Sequence, residues 1–141
     1  LKILLVSLAL FYRQLPDNNL EVWVQVREDD GPYQGLLEFP GGHIEPDEIP
    51  LEAAIREVAE EVGIMINASD ATFMGIYSND VPDKSILLYV FLFPDYPALQ
   101  GKGEWLKINK ADLSLPYEGK IPKPNHQMID DLYRTLYDGQ I

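Results

Sequence analysis

Glu57, Glu60 and Glu61 are three carboxylates set one to four residues apart in the stretch 41–64, which opens on a double glycine. At α-helical pitch their side chains share an arc of roughly 100°. Like charges so placed repel by about a few tenths of a kcal/mol per pair, and a helix with no other task tends to disperse them. A hard divalent cation reverses the sign, because Mg²⁺ and Mn²⁺ favour carboxylate oxygens. The chemistry open to such a cluster is metal-assisted: clamping phosphate oxygens and lowering the pKa of a bound water. The competing reading of any acidic run is a solvated helix face.

The element that must carry these acids is an amphipathic helix from about 48 to 62. Leu51, Ala54, Ile55, Val58 and Val62 recur at helical spacing and form its apolar stripe. Asp47 is the expected N-cap, Pro50 suits the first turn and Gly63 suits the end. Ahead of it, Gly41 and Gly42 read as a loop in which glycine permits positive φ and lets a ligand approach the backbone.

Gly42, Glu48, Arg56, Glu57, Val58, Glu60, Glu61, Gly63 and Ile64 fit the pattern G-x5-E-x7-R-E-U-x-E-E-x-G-U, with U aliphatic, at every position. On these residues the chain resembles the Nudix hydrolases. The resemblance implies an α/β fold, a mixed sheet between helices, and hydrolysis of a nucleoside diphosphate linked to a further moiety. It implies Mg²⁺ as cofactor, with Mn²⁺ able to substitute. Glu60 and Glu61 are the first choice of ligands, and Glu57 is either a ligand or the base that takes a proton from water. The Gly41 carbonyl is carried over as a further ligand. Arg56 reaches Glu52 or Glu60 at four residues' distance, and so can hold a catalytic glutamate in its rotamer; an ordinary helix salt bridge is compatible with that role. Glu48 is a minor ligand or, as the helix dipole favours, a structural partner of the loop.

Composition narrows the classes. At 141 residues the chain reads as one domain, 1–141, with room for a proper core. It has no cysteine, hence no disulfide framework, thiolate nucleophile or zinc–thiolate site, which fits a cytoplasmic setting. The net charge of −12 disfavours sequence-independent binding to a nucleic-acid polymer. A small phosphorylated substrate stays open, because metal ions bridge two sets of negative oxygens. The apolar opening lacks a basic flank and a small-residue cleavage site and is too short to span a bilayer, so it reads as a buried strand. It starts on Leu1, not Met, which points to an altered or processed start.

Strands are expected at 3–13 and 20–27 around a 15–19 hairpin loop, at 71–77 and 85–93 around a turn-rich 78–84, and at 104–108. Residues 28–32 read as a polar loop and 110–115 as a helical turn. Pro122 and Pro124 precede a final helix, roughly 125–137, with Met128, Ile129, Leu132 and Leu136 on its apolar face.

Outside the box the chain resembles one branch, the MutT-like 8-oxo-dGTP diphosphatases. The resemblance rests on residues 21–27 (E-V-W-V-Q-V-R), 37–42 (L-E-F-P-G-G), the V-P-D at 81–83, G-E-W at 103–105 and I-P-K-P-N at 121–125. It implies nucleotide-pool sanitation, with 8-oxo-dGTP hydrolysed to the monophosphate and pyrophosphate. Asn125 is the informative residue. A carboxamide offers a donor and an acceptor side by side. In 8-oxoguanine O6 accepts while N7 carries a hydrogen; in guanine both accept. A buried mismatch of that kind costs about 1–3 kcal/mol. The plainer reading of Asn125 is an N-cap, where the final helix should begin.

Arg27 is a candidate phosphate binder or a surface strand-end arginine, and Phe39 lines the base pocket or simply packs. Glu104 is a possible extra carboxylate for the metal; Leu99 and Gln100 stand where this family often supplies one. His43 and His126 are single histidines without partners, and Tyr33, Tyr77 and Trp105 read as packing. The expected partner is a small nucleotide, with no nucleic-acid polymer and no membrane, the chain working as a monomer or weak dimer. Two further readings stand: a Nudix hydrolase of another nucleotide derivative, such as ADP-ribose or a dinucleoside polyphosphate, and a non-catalytic nucleotide-binding module. The intact glutamates argue against the latter.

Overall fold

The computed structural model describes residues 2–28, 34–96, 99, 103–109 and 121–138. The chain is α/β, a mixed sheet with, among the described residues, two α-helices. It divides into two compact units, each built from two stretches of sequence: Leu1–Phe11 with Phe39–Gly101, and Tyr12–Glu38 with Lys102–Ile141. The first strand, β1 (Lys2–Leu15), runs through both.

In the first unit β1 pairs antiparallel with β4 (Gly41–His43): Val6 faces His43, Ser7 faces Gly42 and Leu8 faces Gly41. The pairing continues through Ala9 N–H to the Pro40 carbonyl and Ile44 N–H to the Leu5 carbonyl, both 2.9 Å. Helix α1 (Pro50–Val62) follows. Then β5 (Thr72–Val81) and β6 (Lys84–Pro94) form an antiparallel hairpin, with a bulge between Phe73 and Gly75, and β6 lies beside β1. The turn is narrower than the expected 78–84: both strands run on to Val81 and Lys84 and leave only Pro82 and Asp83 between them. Ala9, Leu10, Phe11, Ala53, Ala54, Val58, Val90 and Phe93 are fully buried here. Phe11 anchors the aromatic part of this core, with its ring centroid 5.5 Å from Phe93 and 5.6 Å from Tyr96.

In the second unit the end of β1 turns into β2 (Asn19–Val26). Asp17 and Asn18 take φ of 62° and 57° in that turn, the left-handed region that Asn and Asp tolerate best among residues with a Cβ. β2 pairs antiparallel with β3 (Leu37–Glu38) and with β7 (Gly103–Ile108). Alternation along β2 buries Leu20, Val22 and Val24 completely, as period-two patterning requires. Trp23 is buried too, and a Cβ on Gly103 would meet its ring at 2.0 Å, so only glycine fits at the start of β7.

Helix α2 (Lys123–Tyr133) ends in a wide π-type turn, Arg134–Asp138. Met128, Ile129 and Leu132 are fully buried, and the Tyr133 hydroxyl donates to the Asn18 carbonyl at 2.7 Å, tying the helix to the hairpin turn. This helix starts two residues earlier than the proline stop suggested, because Lys123 and Pro124 occupy its first turn, where a missing N–H costs nothing. The opening segment is a strand, as its pattern implied, but it is not buried throughout: Ile3 and Leu5 are exposed, and full burial begins at Ser7 and continues with Ala9, Leu10 and Phe11. No helix among the described residues is long and apolar enough to cross a membrane. The expected turn at 110–115, Tyr33, Gln100 and most of the 28–32 loop lie outside the described residues.

Candidate active site

Helix α1 is set by its ends and by one face. Its N-cap is Ile49, extended at φ −83° and ψ 159°, not Asp47. Isoleucine has no side-chain acceptor, so the cap is half of a capping box: the Glu52 carboxylate accepts the Ile49 N–H at 3.0 Å. Gly63 ends the helix at φ 80°, its N–H shared between the Val58 and Ala59 carbonyls. The buried face is Ala53, Ala54, Val58 and Val62; Leu51 and Ile55, expected in the stripe, are half-buried, and Ala53 replaces them.

The double glycine is strand, not loop. Gly41 and Gly42 lie in β4, and neither takes a positive φ. Glycine is required there by crowding. A Cβ on Gly41 would lie 2.1 Å from the Ser7 carbonyl oxygen, and a Cβ on Gly42 would lie 2.4 Å from the Glu57 carboxyl carbon. The Glu57 side chain, 17% exposed, therefore rests on the bare backbone of β4. Glu61 reaches the same strand: its Oε1 accepts the Gly41 N–H at 2.9 Å.

Arg56 gathers the rest. Its Nε and Nη2 grip both oxygens of Glu48 at 2.6 and 3.0 Å. Nη1 donates to Glu57 at 2.9 Å and to Glu60 at 3.3 Å, and Nη2 also donates to the His43 carbonyl at 3.0 Å. Glu45 lies 3.9 Å from Nη2. Of the two partners expected four residues away, Glu60 is reached and Glu52 is not, because Glu52 is committed to the helix start. The guanidinium's hydrogen bond holds the Glu48 carboxyl below the ordinary carboxylate range, helped by the Glu45 N–H. The same bond, with those to Glu57, raises the pKa of Arg56 and keeps it charged. Lysine could not replace this: a planar fork spans several oxygens, an ammonium cannot.

Among the described residues no three His, Cys, Asp or Glu side chains converge closely enough to cage a metal ion. The donor set suits a hard divalent cation all the same. Glu57, Glu60 and Glu61 offer carboxylate oxygens on consecutive turns, and the bare glycines leave the strand beside them without side chains. Glu60 is the most open of the Arg56 partners along the helix, 60% exposed.

The remaining candidates fall in both units. Phe39, in the first, is 2% exposed and fills core. In the second, Arg27 forms an ion pair with Glu38 at 3.3 Å, Glu104 is exposed on β7 opposite Val24, and Trp105 carries the Arg13 guanidinium 3.8 Å above its ring. Asn125 is not a cap: the helix begins at Lys123 with Pro122 as N-cap, and Asn125 sits inside the first turn. It is 7% exposed, and among the described residues its carboxamide has no hydrogen-bond partner. His126 is partnered, its Nε2 lying 3.1 Å from the Ile121 carbonyl. Sequence reasoning missed Glu45, the His43 carbonyl and Ser7. The one signal for Ser7 was a hydroxyl in an otherwise apolar strand.

Residues 12–128 match the NUDIX domain family. The chain is 34% identical over 80 residues to the 8-oxo-dGTP diphosphatase of Proteus vulgaris, covering 57% of this chain and 70% of that protein. It is 32% identical over 97 residues to the 8-oxo-dGTP diphosphatase of Escherichia coli K12, covering 65% and 74%. A shorter match, 32% over 59 residues, covers 42% of this chain and 32% of the ADP-ribose pyrophosphatase of Methanocaldococcus jannaschii. Among solved structures, a MutT/nudix family protein from Enterococcus faecalis superposes with a TM-score of 0.75 over 98% of this chain and 63% of that one. At 16% identity that likeness shows the fold.

Proposed function

The chain belongs to the NUDIX domain family, hydrolases of phosphoanhydride bonds in nucleotide derivatives, and on that premise we propose that its preferred substrate is 8-oxo-dGTP. Water attacks phosphorus, the bridging P–O bond breaks, and 8-oxo-dGMP and pyrophosphate leave. The observation that carries the substrate is Asn125, a buried carboxamide inside the first turn of α2 without a protein partner among the described residues. Its NH₂ suits O6 and its carbonyl suits N7–H, a pattern that guanine cannot satisfy. The names of the two relatives at 34% and 32% identity favour the same base.

Glu57, Glu60, Glu61 and the Gly41 carbonyl are the groups that would hold Mg²⁺, or Mn²⁺ in its place. When bound, the ion neutralises phosphate oxygens and acidifies water. The chain's own work is to hold its acids still. Arg56 fixes the rotamers of Glu57 and Glu60, the Gly41 N–H aims Glu61, and Glu48 anchors Arg56. A carboxylate of this group receives the proton that water loses. In this reading Arg27 binds a phosphate, Phe39 lines the base pocket, and Glu104 is an extra carboxylate for the metal. The family match takes in residues of both units, which supports 1–141 as one domain. The reading makes it a monomer or weak dimer that cleans the cytoplasmic nucleotide pool, without a nucleic-acid polymer as partner.

The test is turnover of 8-oxo-dGTP, dGTP, ADP-ribose and a dinucleoside polyphosphate with Mg²⁺, products being separated by anion exchange. A kcat/KM for 8-oxo-dGTP well above the others supports the proposal. Equal values for the oxidised and normal triphosphates, or a preference for ADP-ribose, overturn it.

A further inference from the structure

Ser7 is fully buried in β1, and its hydroxyl donates to the Pro50 carbonyl at 2.7 Å. Pro50 is the first residue of α1, 43 positions further along the chain. A carbonyl has two lone pairs, so it can accept this bond and a helical one together. Directly opposite Ser7 stands Gly42. Cross-strand partners send their side chains to the same face of a sheet. The face that carries the Ser7 hydroxyl is therefore the one on which Glu57 lies over Gly42. On α1, Pro50 and Glu57 are a heptad apart, within about 20° of one helix face. The β1–β4 pair thus meets one face of α1 twice. A hydroxyl holds its first turn, and two turns on a bare glycine receives its carboxylate.

We propose that Ser7 is a positioning residue for hydrolysis: its hydroxyl fixes the rotation of α1 on the β1–β4 pair and so the place of the Glu57 carboxylate. This rests on Glu57 being part of the reacting site. Burial of Ala53, Ala54 and Val58 presses the helix onto its unit, but apolar contact is non-directional and leaves small rotations cheap. A hydrogen bond is directional. A rotation of about 10° carries a group about 6 Å from the helix axis through about 1 Å, a shift that can cost on the order of 10²-fold in rate. Removing the hydroxyl strands no buried acceptor, because the Pro50 carbonyl keeps its place in the helix, so the loss should fall on geometry more than on stability.

Ser7→Ala, Val62→Ala and Glu57→Gln separate the possibilities. Val62 is buried at the far end of α1, so its truncation loosens the helix away from the Ser7–Gly42 seat. Three quantities are read: kcat and KM with 8-oxo-dGTP and Mg²⁺, Mn²⁺ affinity of the nucleotide-free protein by electron paramagnetic resonance, and Tm. Ser7→Ala is expected to lower kcat about tenfold with KM within about twofold, to weaken Mn²⁺ binding several-fold, and to move Tm little. Val62→Ala should lower Tm more while leaving kcat and Mn²⁺ affinity near wild type. Wild-type kcat and Mn²⁺ affinity in Ser7→Ala, or equal losses in Val62→Ala, overturn the proposal. Full turnover in Glu57→Gln would instead remove the underlying site reading. An inactive Glu57→Gln beside an unaffected Ser7→Ala removes the role of Ser7 alone.

Discussion

The Glu57 carboxylate occupies the space where a side chain on Gly42 would begin: a Cβ there would lie 2.5 and 2.7 Å from its two oxygens. The acid is thus seated by an absence, and the glycine 15 residues earlier shapes the proposed site although it carries no functional group. Gly42→Ala should fold, since its φ suits any residue, but must displace Glu57. Turnover should fall on the order of 10²-fold, with far-ultraviolet circular dichroism unchanged. Wild-type turnover in that variant would show that the seat does not matter.

Glu61→Gln keeps an oxygen to accept the Gly41 N–H but removes the charge. It should retain the local fold and depress turnover of every nucleotide on the order of 10²-fold or more, together with Mn²⁺ affinity. A loss confined to one substrate would move Glu61 from the reacting centre to the specificity pocket.

Asn125→Ala should act on the base alone. The ratio of kcat/KM for 8-oxo-dGTP over dGTP should shrink about tenfold, the equivalent of about 1.4 kcal/mol, while most dGTP hydrolysis survives. Unchanged ratios would end the case for Asn125 as the base reader.

Glu48 makes stability depend on acid pH. Its carboxyl titrates lower when folded, chiefly through the Arg56 hydrogen bond, so it binds a proton less readily than in the unfolded chain. The stabilisation is therefore complete above the unfolded carboxylate range and is lost as pH falls through the lower, folded value. In Glu48→Gln that share of the acid-side fall in Tm should vanish, giving a flatter profile between about pH 5 and pH 2. Parallel profiles for the two proteins would mean that the pair adds nothing to folding.

Local chemistry was legible in the residues; long-range fit was not. The span and the glycine stop of α1 and the β1–β2 hairpin followed from spacing alone. The cap at Ile49 did not, because two acids compete near that turn and the one inside the helix, Glu52, won the free N–H. The reason for Gly41 and Gly42 was hidden because it lies in Ser7 and Glu57, which only the folded strand and helix bring beside them. The fan of Arg56 was half visible: Glu60 follows from helical pitch, whereas Glu48 precedes the helix and is reached because the 45–48 turn folds back, its Glu48 N–H bonding to the Glu45 carbonyl. Asn125 as a cap failed for a local reason: two prolines bracketing Lys123 moved the helix start upstream.

The register between β1 and β4 restricts how this chain can change length. Side chains alternate faces, so inserting or deleting one residue between Leu5 and Ala9 would turn the hydroxyl outward, and doing so between Pro40 and Ile44 would slide Gly41 or His43 beneath the acid. Tuning such a scaffold to other nucleotides by altering loop length would have to happen elsewhere in the chain, with these two short segments kept at constant count.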